Sequence, residues 1–174
     1  NLAANSFSRE GRNYWILQAA PIKSTSLVIA KFLVSYIPTA ILGVIFITIS
    51  NLLHSQTPIY LVYSVLVILL AIGGLVGVAL AFGIQGAHLD WQNPRHMGPK
   101  GATGCLGVIA SFGYLFIGLV FFLLPSILWE IFKLPGTGIG LGIGLVLGAA
   151  FSIAAAIIPV SLVLKRVQRI GQSE

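Results

Sequence analysis

Four apolar stretches, residues 25–53, 59–84, 105–128 and 138–164, hold between them a single charged side chain, Lys31. An α-helix rises about 1.5 Å per residue, so each stretch is long enough to cross a hydrocarbon core about 30 Å thick. In that medium every backbone N–H and C=O must be paired within the chain, which leaves helices as the solution for long uninterrupted apolar runs. The sequence therefore predicts an all-α polytopic membrane protein with four transmembrane helices. With 57% hydrophobic and only 8% charged residues, a water-soluble domain is excluded. The net charge of +6 does not point to nucleic acid, because the ten Lys and Arg flank the apolar runs and form no basic face with interleaved aromatics.

The connectors fix the order of the spans. His54-Ser55-Gln56-Thr57-Pro58 is short and turn-like, so the first two spans form an antiparallel hairpin. Ser24 is a helix N-cap candidate, and Pro38 should bend the first span or free a carbonyl for a neighbouring Ser or Thr. Residues 85–104 form a polar, Gly/Pro-rich loop, and 129–135 form an interfacial turn anchored by Trp129. Pro125 is expected to loosen the last turn of the third span, and Pro159 interrupts the fourth near its inner end.

Nine Lys and Arg (Arg9, Arg12, Lys23, Lys31, Arg95, Lys100, Lys165, Arg166 and Arg169) fall on one side of this arrangement, and only Lys133 falls on the other. Positive residues are retained in the cytoplasm, so both ends and the 85–104 loop are expected there, in a plasma membrane of the bacterial inner-membrane type. Residues 1–23 then form a cytoplasmic interfacial segment ahead of the four-helix region 24–174, with an interfacial helix that breaks at Pro21. No Met and no signal peptide opens the sequence, and residues 1–7 read as a chain already under way, a fragment of something longer.

Small residues mark where helices approach closely. Gly73 and Gly77 share a stripe with Ala81, and Gly74 lies beside it; Gly136, Gly140, Gly144 and Gly148 recur every fourth residue, continued by Ser152 and Ala156, as a glycine zipper. The Gly-x-Gly spacings after Gly136 follow no strand and are read as helix packing, not as a dinucleotide fingerprint. No Gly-x-x-x-x-Gly-Lys-Ser/Thr occurs; Gly98-Pro99-Lys100-Gly101 lacks both spacing and hydroxyl. His88, Asp90 and His96 lack a further acidic or thiolate ligand nearby, so no metal is expected. The carboxylates Glu10, Asp90, Glu130 and Glu174 all lie outside the spans, which disfavours a proton relay or an intramembrane hydrolase and leads us to expect no enzyme activity in this chain, with interfacial chemistry at Asp90, His88 and His96 as a minor alternative.

The polar segments carry a resemblance. Glu10-Gly11, the apolar Tyr14-Trp15-Ile16-Leu17, Pro21-Ile22 and Lys31 resemble the segment after the second span in permease subunits of type-2 ATP-binding-cassette exporters. Gly86-Ala87 followed by Asp90-Trp91-Gln92-Asn93-Pro94-Arg95 is similar to a loop feature of a large-permease subgroup, with His88-Leu89 where that subgroup has Pro. The resemblance implies the last four spans of a six-span exporter permease moving an unknown substrate. Its partners would be a cytoplasmic ATPase subunit that carries ATP and Mg, a second permease copy or absent N-terminal spans, and membrane lipid. It also implies that Arg9, Glu10, Gly11, Arg12, Trp15 and Pro21 couple to the ATPase, and that Asp90, Trp91, Asn93, Pro94 and Arg95 form a cytoplasmic loop element. The alternative is a non-transporting assembly or anchoring protein that uses its glycine-rich helix faces.

Overall fold

The structure, a computed structural model, describes residues 3–6, 24–55, 57–87, 102–133 and 135–167. Four helices follow in order: α1 (Ser24–Leu53), α2 (Pro58–Gln85), α3 (Ala102–Ile131) and α4 (Thr137–Val167). Among the described residues there is no strand, and all four helices are long and apolar enough to cross a membrane. The protein is all-α. The expected interfacial helix before α1 lies outside the described residues.

Local chemistry explains where the helices begin and end. Pro58 opens α2 at a position where its missing N–H costs nothing, and the Thr57 carbonyl takes the N–H groups of Tyr60 and Leu61 at 3.0 and 3.3 Å. The α1–α2 connection turns through Ser55 at φ 50°, and the Gly86 N–H closes α2 onto the Phe82 carbonyl at 2.9 Å. The α3–α4 connection turns at Lys133, φ 50°, and Gly136, φ 83°, with the Trp129 Nε1–H donating to the Pro135 carbonyl at 3.3 Å. Gly136 is thus a turn residue in the left-handed region, where a Cβ is disfavoured, and stands outside the helical glycine series it appears to begin.

α3 runs further than the apolar stretch predicts, through Pro125 to Ile131. One proline removes one intrahelical donor, and the helix beyond it still has its own bonds to make. In α1, Thr39 beside Pro38 sends its hydroxyl to the Ser35 carbonyl at 2.8 Å.

α2 is the central helix. It packs on α1, α3 and α4, while α3 and α4 also pair with one another and α1 touches α4 only slightly. In the most apolar window of α2, 44% of residues are buried, against 11% in α1. From Ile72 to Ile84 nearly the whole circumference of α2 is covered, with Leu80 and Ile84 fully buried. The main core joins these to Val28 of α1 and to Ala3, flanked by Val160, Val163 and Leu164 of α4.

Candidate functional site

Three glycines of α2 admit three different neighbours. A Cβ on Gly73 would rest 3.6 Å from the Tyr36 ring of α1; on Gly74 it would run into the Tyr114 phenol of α3; on Gly77 it would sit 2.5 Å from the Ala156 Cα of α4. Gly73 and Gly77 share a stripe, yet one helical turn separates them along the axis and they face different helices. α2 is central because its surface is bare backbone where each neighbour crosses.

The small-residue series of α4 changes partner along its length. Gly140 lies under Trp129, with a Cβ there 2.7 Å from the Trp129 Cβ; Gly144 lies against the Phe122 carbonyl; and Gly148 lies against the Phe122 ring. All three abut α3. Ser152, 1% exposed, reaches Tyr114 of α3, and Ala156 then crosses to Gly77 of α2.

Tyrosines tie these crossings to main-chain carbonyls. Tyr36 of α1 donates to Leu69 O of α2 at 3.3 Å, Tyr63 of α2 to Phe122 O of α3 at 2.7 Å, and Tyr114 of α3 to Ala71 O of α2 at 3.1 Å. The Tyr114 oxygen also lies 3.0 Å from Ser152 Oγ. A phenol has one proton, so with Ala71 as acceptor the Ser152 hydroxyl donates to Tyr114. Phe151 stacks on the Tyr114 ring at 5.4 Å between centroids and fixes its plane. Near the other end of α1, the Asn51 amide bridges Ile47 O at 2.8 Å and Ser64 Oγ of α2 at 3.0 Å. Among the described residues, no buried side-chain nitrogen or oxygen lacks a partner.

Tyr63 reaches the carbonyl next to that of Phe121, the one that Pro125 leaves without its helical donor. Gly144 leaves room for it, since a Cβ there would be 3.1 Å from the Tyr63 hydroxyl. Tyr63→Phe should cost about 1 kcal/mol, the ordinary worth of an interhelical hydrogen bond in a membrane protein. Unfolding by SDS from mixed micelles measures it.

Of the sequence-derived site residues, Arg9, Glu10, Gly11, Arg12, Trp15 and Pro21 lie outside the described residues, as do Asp90, Trp91, Asn93, Pro94 and Arg95. Gly74 and the three tyrosine bonds carry more of the assembly than the sequence reading assigned them. The signal available was a tyrosine within an apolar run, whose hydroxyl must find an acceptor there. Which carbonyl it finds depends on the helix crossing.

The fold and its seams define a helical domain with the length and apolarity to span a bilayer four times. A family model described as "Putative ATP-binding cassette" matches residues 3–171, and the chain belongs to that ATP-binding-cassette family. No curated protein and no solved structure matches it significantly.

This corrects the reading drawn from resemblance. The family is described as an ATP-binding cassette and not as a permease, so the assignment as an exporter permease subunit, with its transport role, does not stand. The physical reason lies in the motifs that carried it. Turn-forming Pro and Asn, an interfacial Trp and flanking Arg are what any membrane-surface segment needs, and they do not tell the parts of an ATP-binding-cassette system apart.

Proposed function

We propose that this chain is the membrane-embedded helical domain of an ATP-binding-cassette system, which anchors and assembles that system in the bilayer. ATP and Mg are held by a cytoplasmic ATPase partner, and these helices carry out no catalysis. The observation that carries the reading is the pairing of family membership over residues 3–171 with four bilayer-length helices in a sequence that has no Gly-x-x-x-x-Gly-Lys-Ser/Thr phosphate loop. The interlocked glycine and tyrosine crossings suit a static, closely packed anchor. The excess of Lys and Arg at one end supports an inner membrane with that end, and both termini of this chain, in the cytoplasm. In this reading Glu10 and Trp15, within the Arg9 to Pro21 segment, contact the ATPase, and Asp90 to Arg95 belong to the same cytoplasmic side.

Photolabelling with an azido-ATP analogue in native membranes tests this. Label is expected on a separate ATPase polypeptide that co-purifies with the tagged chain, and the Glu10→Lys, Trp15→Ala double variant should lose that polypeptide. Label within residues 24–167 overturns the anchoring role. Retention of the ATPase by the double variant removes Glu10 and Trp15 from the contact.

A further inference from the structure

One side of α2 carries Ile59, Val62 and Leu66 and, continued at helical spacing, Gly73, Gly77 and Leu80. The far half of this stripe is covered from two directions: Gly73 meets the Tyr36 ring of α1, Gly77 meets Ala156 of α4, and Leu80 lies in the core with Val28 of α1, with Val160 of α4 packed against it. Toward the α1–α2 turn the same side is open. Ile59 and Val62 are each 57% exposed, and Leu66 is 41% exposed. There α1 holds to α2 through Asn51 and Ser64, while α4 leans on α3 through Gly140, Gly144 and Gly148. α1 and α4 thus close over α2 in one half and part from this stripe in the other, leaving a cleft with α2 as its floor. On α4, Gly142 stands two residues from both Gly140 and Gly144 and so on the side turned from α3. A Cβ on Gly142, or on Gly138 one turn before it, would meet nothing within 4 Å.

We propose that this cleft holds one acyl chain of a membrane lipid, from the leaflet on the side of the α1–α2 turn. The inference rests on the helices lying in a bilayer and not on the anchoring role. Depth is the first argument for a lipid chain. Full cover of α2 begins at Ile72, the middle of this 28-residue helix, so the cleft runs about 20 Å from Ile59. That is the reach of one leaflet, half of a bilayer about 40–45 Å thick with its headgroups. A spanning helix of a second copy has to run the full thickness, and along α2 it would meet the closed half. Chemistry is the second argument. The exposed floor is large aliphatic side chains, which hold another helix backbone at a distance, and the neighbouring hydroxyls of Tyr63 and Ser64 are spent on the Phe122 and Leu61 carbonyls. A polar solute finds no partner there. A void in hydrocarbon forfeits the dispersion contacts of its lining, and a slender, flexible chain restores them.

The test uses the full chain in vesicles of dioleoylphosphatidylcholine that contain a trace of phosphatidylcholine with a diazirine in mid-chain, with adducts mapped by mass spectrometry after illumination. Leu66 should be labelled more heavily than Leu42 of α1, although Leu42 is the more exposed at 68%. Gly142→Leu, which projects a side chain into the cleft, should lower labelling of Val62 and Leu66 about tenfold. Its resistance to SDS should not fall, because nothing stands within 4 Å of the new Cβ. Gly113→Leu is the control: this α3 glycine is equally open and faces lipid outside the cleft, and its replacement should leave labelling of Val62 and Leu66 unchanged. If Gly142→Leu does lower stability, Val62→Trp, which fills the cleft from its floor, gives the deciding comparison and should lower Leu66 labelling alike. Labelling of Leu66 no heavier than that of Leu42, or equal effects of the Gly142 and Gly113 variants, overturns the proposal. So does weak labelling of Leu66 with disulfide formation between copies carrying Leu66→Cys and Cys105→Ser, which gives the cleft to a second copy of the chain.

Discussion

Gly77→Leu should separate α4 from α2 and lower the stability of the bundle by about 3 kcal/mol or more. The expectation follows from what the new side chain meets: the Cα and carbonyl of Ala156, backbone atoms of a helix that has no rotamer to change. Overpacking against movable side chains typically costs about 1–3 kcal/mol, and a backbone obstacle puts this variant at or above the top of that range. Relief requires α4 to shift, which also pulls Ser152 from Tyr114, one turn along the same seam. The measurement is unfolding by SDS from mixed micelles, with a disulfide between cysteines placed across the α2–α4 crossing as a proximity readout. A stable variant that retains that crosslink would show that the crossing is looser than the geometry says.

Gly74→Ala should have the second largest effect, out of proportion to one methyl group. That methyl would occupy the space of the Tyr114 hydroxyl and ring edge, and Tyr114, 5% exposed and stacked on Phe151, has little room to withdraw. Displacing it breaks the bond to Ala71 O and the bond from Ser152 together, leaving a buried serine without its tyrosine. We expect a loss of about 2–3 kcal/mol, from strain plus the unpaired groups. The diagnostic is the double variant with Tyr114→Ala. Because the glycine and the tyrosine occupy one space, Gly74→Ala should cost little once the ring is gone, with a coupling energy above about 1 kcal/mol. Additive losses would mean that the ring does not sit on Gly74.

Much of the architecture is legible in the sequence because the bilayer imposes it. A run of two dozen apolar residues has few ways to satisfy its backbone in hydrocarbon, so the number, order and approximate limits of the spans follow from hydropathy. Even there the limits shift, since α3 runs from Ala102 to Ile131, beyond both ends of the 105–128 stretch. The glycines mark close approaches but not partners: Gly73 and Gly77 look like one face and meet α1 and α4 respectively, while Gly136 extends the four-residue period and belongs to a turn. The turn at Ala3–Ser6, which sets the Ala3 methyl in the main core and the Ala4 backbone on Gly83, leaves no trace in sequence periodicity. The short motifs around Glu10 and Asp90 led to the wrong subunit type, since their residues report a membrane surface and not a role.

The sequence by itself determined that the apolar runs form helices, that four of them among the described residues are long enough to cross a membrane, and where along the chain the basic residues gather. Each of these is settled by local composition against a uniform medium. Only the tertiary structure decided that α2 is the centre, that Gly73, Gly74 and Gly77 each face a different helix, and that Tyr36, Tyr63 and Tyr114 bond to Leu69, Phe122 and Ala71. In lipid the hydrophobic effect does not rank one apolar face over another, so the choice of neighbour falls to the fit of small residues and the reach of a few hydroxyl groups. Those are properties of helix pairs, and no single stretch of sequence contains them.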